Sequence, residues 1–308
     1  MTIQTAKLAE AVRRTCRDVR EGEPLRRHVT FRIGGPADIL LIPRSADELR
    51  GAVAYLYAER IPFIVLGAGS NVLIADAGIR GVVLKIGKGL DRVTYEGDTV
   101  VAEAGAGLPH LAREAANRGL AGLEFAAGIP ASVGGAAVMN AGAHGHAMQE
   151  IVLRVRAMTP EGEAVLDNAA LQYAYRTSVL QRTPAVAFEV TMRLRAADPE
   201  TVRARTDEWL RHRGETQPVG PPSSGCVFRN PAGDHAGRLI DLAGAKGSVI
   251  GGARVSELHA NYILNTGEAT AADVVALMHK VSALVMEKFG TRLEPEIKLL
   301  GEFPAQPR

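Results

Sequence analysis

Between Phe125 and Gln149 the chain runs 25 residues without a single Asp, Glu, Lys or Arg, long enough to span a bilayer if it formed one helix. Its composition argues against that: Gly128, Pro130, Gly134, Gly135, Asn140, Gly142 and Gly145 interrupt the segment, and small residues supply too little transfer energy to hold it in lipid. What is left is bare backbone that can come close to something. Tight packing of small residues and approach to a large flat or anionic ligand both fit.

The same need for close backbone passages runs through the molecule, which has 33 glycines in 308 residues against a usual share of about 7%. They thicken between residues 67 and 145 and again between 214 and 252. No repeat period is visible, so solenoids are excluded. Lys plus Arg total 36 and Asp plus Glu 34; so even a balance gives no field for nucleic acid or a membrane surface, and any anionic ligand must be met by local charges. Two cysteines, Cys16 and Cys226, exclude a disulfide-stapled scaffold and a four-cysteine zinc site, and no metal is expected. The N-terminal MTIQTAKLAEAVRR has no apolar stretch of signal-peptide type, and a soluble cytoplasmic protein is expected.

At roughly 150 residues per domain the chain should form two or three units. Leu8, Ala9, Val12, Cys16 and Val19 predict a helical stripe over 5–19, with Cys16 in the core. DILLIP (38–43), PFIVLG (62–67) and GVVLKI (81–86) read as strands, the second of them buried, and Ser45 with Glu48 as the capping box of a helix running to about Arg60. After residue 88 the alternation of DRVTYEGDTVVAEAGA predicts a hairpin about Glu96-Gly97-Asp98. A helix closed by Gly119 follows, then strands over 151–158 and 184–195. A charge-rich helix from Ala196-Ala197-Asp198-Pro199 leads into a third mixed unit with helices over 236–244 and 272–290, the second capped by Thr270, strand NYILN (261–265) and a last strand near 291–300. Three segments are therefore expected: 1–88, 89–197 and 198–308.

GAGSN (67–71), directly after a strand, supplies consecutive backbone N–H groups able to cradle a phosphate, or is simply a turn between strands. It is not a dinucleotide fingerprint, since position 72 is Val where a third glycine would stand. GIPASVGGAAVMNAGAHG (128–145) is a second such segment. Two of them in neighbouring units suggest a dinucleotide between. Arg176, in YRTS, offers a fork for a carboxylate or for developing negative charge, or a surface ion pair. Cys226 follows a glycine turn and is either a reactive thiol or a small buried hydrophobe. In LEPEIKLLG, Glu294 and Glu296 share one strand face, opposite Leu293, Pro295 and Ile297.

Taken together, TFRIGGPA, GAGSN, GIPASVGGAAVMNAGAHG, YRTS, ETQP, PSSGCVFRNP, AGRLIDLAGAKG, HANYILNTG and LEPEIKLLG, in this order over about residues 28–301, resemble the UDP-N-acetylenolpyruvoylglucosamine reductase family, in its shorter-loop subclass. The resemblance implies an α+β chain: a two-part FAD-binding fold of the vanillyl-alcohol-oxidase (PCMH) type, followed by a domain that closes over substrate. It places Gly67, Ala68, Gly69, Ser70 and Asn71, and Gly128, Ile129, Pro130, Ser132, Gly134 and Gly135, on FAD. Arg176, Cys226 and Glu296 match catalytic positions, and Tyr175, Arg213 and Asn230 substrate-binding ones. The departure is Cys226, where many relatives have serine.

The implied reaction is NADPH-dependent reduction of UDP-N-acetylglucosamine enolpyruvate to UDP-N-acetylmuramate in peptidoglycan precursor synthesis, in a cytoplasmic monomer that serves cell-wall growth, cell shape and division. A hydride passes from flavin N5 to the enolpyruvyl methylene, and a proton comes from Cys226. An ordinary thiol, with a pKa of about 8.5, is mostly protonated at neutral pH and is a stronger acid than a serine hydroxyl, so the substitution preserves the role. Two other readings stay open: another flavin-dependent oxidase or dehydrogenase on the same fold, and a catalytically silent flavin- or nucleotide-sugar-binding protein.

Overall fold

The computed structural model describes residues 3–303. They form two compact units, each assembled from separated stretches: one from residues up to Glu21, Ile39–Ala68 and Gly81–Arg213, the other from Gly22–Asp38, Gly69–Arg80 and the chain from Gly214 on. This division differs from the expected one along the chain. Segments 22–38 and 69–80 group with the C-terminal residues, and 198–213 group with the first unit.

The first core of the first unit lies between helices and a four-stranded sheet in the order Val19–Pro24, Pro36–Leu41, Ile79–Lys85, Phe63–Leu66. α1 (Ile3–Val12) is shorter than the predicted stripe. Thr15 closes it, its N–H and hydroxyl both donating to Val12 O at 3.0 Å. Cys16 is core as expected, but from the turn beyond the helix, and Val19 already begins a strand. α2 (Ala46–Ala58) starts at Ser45, whose Oγ accepts from Glu48 N at 3.2 Å. The reciprocal half of the box is displaced by one residue, with Glu48 accepting from Arg44 N at 2.9 Å. Leu49, Ala52, Val53 and Leu56 of α2 pack with Ile39, Leu41, Val82 and Leu84. Strand Phe63–Leu66 runs parallel to Ile79–Lys85, but it is not buried as expected. Only Leu66 is, because the strand is last in the sheet order and has a neighbour on one side.

The second core of this unit is built on a five-stranded antiparallel sheet in the order Gly162–Asp167, Val152–Thr159, Val186–Arg193, Thr99–Glu103, Val93–Glu96. The predicted hairpin closes with Glu96 opposite Thr99, and Gly97 supplies the positive φ (61°) that so short a connection demands. α3 (Leu108–Asn117) buries Leu108, Leu111, Ala112 and Ala115 on this core. Each buried leucine there contributes about 1.5–3 kcal/mol. Strand Gly162–Asp167 was not foreseen, although its alternating burial is of the ordinary edge-strand kind. The charge-free segment becomes α4 (Val133–Met139), flanked by a short 3-10 turn at Glu124–Ala126 and a tight hairpin pairing Gly142–Ala143 with His146–Ala147. α5 (Pro199–Thr216) lays Trp209 and Leu210 on the same core, which is why this helix belongs with the first unit instead of leading out of it.

The second unit packs α6 (Ala236–Leu242) and α7 (Ala271–Phe289) with a three-stranded antiparallel sheet, Val249–Ile250, Ala253–Val255 and Ile263–Asn265. A parallel pair joins Val72–Ile74 to Lys298–Leu300. Phe31, Ile33 and Leu73 share a core with Leu239, Ile240, Leu277, Val281, Leu293 and Ile297, and that burial draws the two early segments into this unit. Thr270 caps α7 as predicted, accepting from Asp273 N at 3.0 Å. Asp76 adds a cap no local pattern foretold, accepting from Ala271 N at 2.8 Å and Ala272 N at 3.1 Å. The expected last strand is shorter than 291–300, being regular only over Lys298–Leu300. Among the described residues no helix is long and apolar enough to cross a membrane.

Candidate active site

In the first unit the two glycine segments meet. A Cβ on Gly67 would stand 2.7 Å from Ser132 Oγ, so only bare backbone fits there. Ser132 is the N-cap of α4, its hydroxyl accepting from Gly135 N at 3.3 Å. A side chain on Gly135 would touch nothing but that hydroxyl, at 3.2 Å, which leaves its backbone open. Gly134 differs: a Cβ would lie 2.5 Å from that of Ala104, so its small size serves packing of α4. Gly128 carries the stem of Arg213, whose Cδ would be 2.5 Å from an added Cβ. Ile129 packs on the core, and Ala131 O accepts from Leu108 N at 2.9 Å, fixing the loop that holds Pro130.

Lys85, at the end of its strand, donates from Nζ to the carbonyl of Gly67. Burial pulls its ammonium down from 10.5 to about 8, because the charged form loses hydration. Sequence reasoning passed over this residue. Its signal was a lone cation in the otherwise apolar GVVLKI.

Arg176 sits at the tip of a tight turn in which Ala174 and Thr177 pair, with its own φ at +56°. Such a conformation is rare for a non-glycine residue and needs support from its surroundings. The guanidinium donates to Gly142 O at 2.9 Å and lies over the ring of Tyr175, 5.1 Å from its centroid. Tyr175 itself is exposed.

In the second unit, backbone pairing brings the cysteine and glutamate segments together. Glu296 N donates to Val227 O at 2.7 Å, Arg229 N to Glu294 O at 2.8 Å, and Cys226 pairs with Tyr262. Tyr262 in turn donates its hydroxyl to Gln217 at 2.6 Å. Cys226 lies outside any disulfide with its thiol half-buried, and Glu296 is half-buried. The later part of GAGSN braces both segments. Gly69 (φ +71°) is pressed against His28 and Val29, and its carbonyl accepts from Thr30 N at 3.1 Å, while Thr30 Oγ1 donates to Ser223 O at 2.7 Å. Asn71 Nδ2 donates to Glu296 O at 3.3 Å, and Asn71 O accepts from Lys298 N at 3.0 Å. Ala68 and Ser70 are half-buried in the same turn. Asn230 is exposed, with its Oδ1 accepting from Ala236 N at 3.1 Å, a start for α6.

Residues 37–166 match the FAD binding domain family, so the fold class is the α+β one expected, with an FAD-binding domain of the PCMH type. Residues 217–300 match the family described as UDP-N-acetylenolpyruvoylglucosamine reductase, C-terminal domain. The UDP-N-acetylenolpyruvoylglucosamine reductase of Caldanaerobacter subterraneus subsp. tengcongensis is 45% identical over 281 residues, 91% of this chain and 93% of that one. The Bacillus subtilis enzyme of the same name is 43% identical over 91% of this chain and 93% of its own. A crystal structure of UDP-N-acetylenolpyruvylglucosamine reductase from Thermus caldophilus superimposes with a TM-score of 0.78 at 35% identity, covering 92% of this chain and 98% of that one. The chain is thus an FAD-dependent oxidoreductase by class. It belongs to the UDP-N-acetylenolpyruvoylglucosamine reductase family.

Proposed function

We infer that this chain reduces UDP-N-acetylglucosamine enolpyruvate to UDP-N-acetylmuramate, a step of peptidoglycan precursor synthesis. The observation that carries the reading is similarity along most of the length, 45% identity over 91% of this chain and 93% of a reductase of that name. FAD is the cofactor, and the bare backbone at Gly67 against Ser132 and the open backbone at Gly135 suit close approach of such a group. Gly67 to Asn71 together with Gly128, Ile129, Pro130, Ser132 and Gly135 would hold it. When bound, FAD supplies the hydride relay between NADPH and the enolpyruvyl group.

The chain's own residues then manage charge and protons. Adding a hydride to the methylene carbon leaves negative charge on the neighbouring carbon and its carboxylate. Arg176, a fixed cation on a braced turn, stabilises that charge. Glu296 is assigned to the same carboxylate as a hydrogen-bond donor that keeps its own proton. Cys226 gives its thiol proton to the carbon, completing the saturated lactyl ether. Tyr175, Arg213 and Asn230 are assigned to the sugar nucleotide, and the monomer is taken as the working form.

The test is direct. The purified protein should be yellow, NADPH should bleach it, and the enolpyruvyl sugar nucleotide should restore the colour without oxygen. Recovery of colour only in air would favour an oxidase on the same fold, and absence of bleaching a silent binding protein.

A further inference from the structure

The turn that carries Arg176 lies outside any regular strand or helix, yet it keeps a left-handed backbone at its tip. Its support comes from the far end of α4. Asn140, 2% exposed and itself left-handed (φ 45°), donates from Nδ2 to Ala174 O at 2.9 Å and to Gln149 Oε1 at 2.9 Å, while its Oδ1 accepts from Gln149 N at 2.9 Å. Gln181 Nε2 donates to Val138 O and to Arg176 O, both at 3.1 Å. Ser178, fully buried, donates to Val138 O at 2.6 Å. One carbonyl left over at the helix C-terminus, Val138 O, and the side-chain amide of Asn140 thus anchor the arginine turn from both sides. The other end of the same seven-residue helix carries Ser132, Gly134 and Gly135, where the two glycine segments meet.

We propose that Asn140 is a positioning residue for the reduction: by fixing Ala174 and Gln149 at the end of α4, it sets the place of the Arg176 guanidinium relative to the glycine segments, with Gln181 as its second brace. This rests on the role assigned above to Arg176. Asn140 touches no reacting atom in this account and acts through the arginine alone. Buried side-chain networks of this kind carry coupling that single deletions do not apportion.

The experiment uses the FAD-loaded full chain and follows the two half-reactions separately in stopped flow. The Asn140→Gly variant keeps the left-handed backbone and deletes all three side-chain bonds. Asn140→Asp keeps the acceptor for Gln149 N but sets an oxygen against Ala174 O. Both should bleach with NADPH within twofold of the parent rate, and both should be reoxidised by saturating enolpyruvyl substrate at least tenfold more slowly. Arg176→Ala should slow that second step at least as much, and adding Asn140→Gly to it should slow it no further. A parental second step in Asn140→Gly, equal slowing of both steps, or additive losses in the double variant overturns the positioning role. A parental second step in Arg176→Ala instead removes the assigned role of the arginine, and with it this inference. Should Asn140→Asp fail to fold, Gln181→Ala replaces it, with the same expected split between the half-reactions.

Discussion

The Arg176 turn and the paired Cys226 and Glu296 segments are held by different means. Side chains from α4 and its flanks grip the arginine turn, through Asn140, Ser178 and Gln181. The cysteine and glutamate segments are joined to each other through backbone, Glu296 N to Val227 O and Arg229 N to Glu294 O, and the Asn71 and Asn261 side chains that brace them also bond to backbone. A residue whose segment is paired through backbone can be replaced with that pairing kept, so its substitution reads out chemistry more than architecture. A residue held by side chains is exposed to damage from positions that never meet the substrate.

Substitutions in the backbone-held pair should therefore be large in rate and small in stability. Cys226→Ala is expected to slow the enolpyruvyl half-reaction by about 10²–10⁴-fold, to leave bleaching by NADPH unchanged, and to melt with the parent. Cys226→Ser should keep appreciable turnover. Equal loss in both half-reactions would remove the proton-donor role. Glu296→Gln should cost the same step about a hundredfold, again with parental melting. A protein that no longer folds would show instead that the carboxylate is structural and would break the contrast drawn here.

Smaller effects sharpen the picture at the glycine segments. Gly67→Ala forces a methyl to within 2.7 Å of Ser132 Oγ, an overpacking cost of about 1–3 kcal/mol, read as weaker FAD retention when the apoprotein is titrated. Smallest of all is a pH effect at Lys85. Its folded pKa of about 8 lies below the 10.5 of an unburied ammonium, so above pH 8 the unfolded chain holds the proton that the folded one has lost. Stability from this group therefore rises with pH. The clean window is between about 8 and 9, before Cys16, which burial pushes up from 9.0 to about 11, can act in the opposite sense. Lys85→Met should flatten denaturant midpoints across that window, and an unchanged slope would discount the buried ammonium.

What the sequence made legible was what is local. The Thr270 cap, the Gly97 hairpin and the order of motifs along the chain all lie within a few residues of their cause. The grouping of the units was not legible, because Phe31 and Leu73 enter the second core through contacts some 200 residues away in sequence. Nor was the end of α1, where Thr15 stops a stripe that continues in composition as far as Val19. GAGSN was legible as one motif, yet its residues fall to two units. Gly67 lies against Ser132, while Asn71 braces the backbone of Glu296. Asn140 was hidden for another reason: it acts on the carbonyl of Ala174, and carbonyls carry no sequence signature. Lys85 was visible as a lone cation in an apolar strand, but its target, the carbonyl of Gly67, was not.

The most direct test of the assigned reaction is an anaerobic single turnover, in which protein reduced by one equivalent of NADPH is mixed with the enolpyruvyl sugar nucleotide while absorbance and product are followed together. The yellow colour should return, with one UDP-N-acetylmuramate formed per bound FAD. Colour that stays bleached until oxygen is admitted, with the sugar nucleotide recovered unchanged, would contradict it.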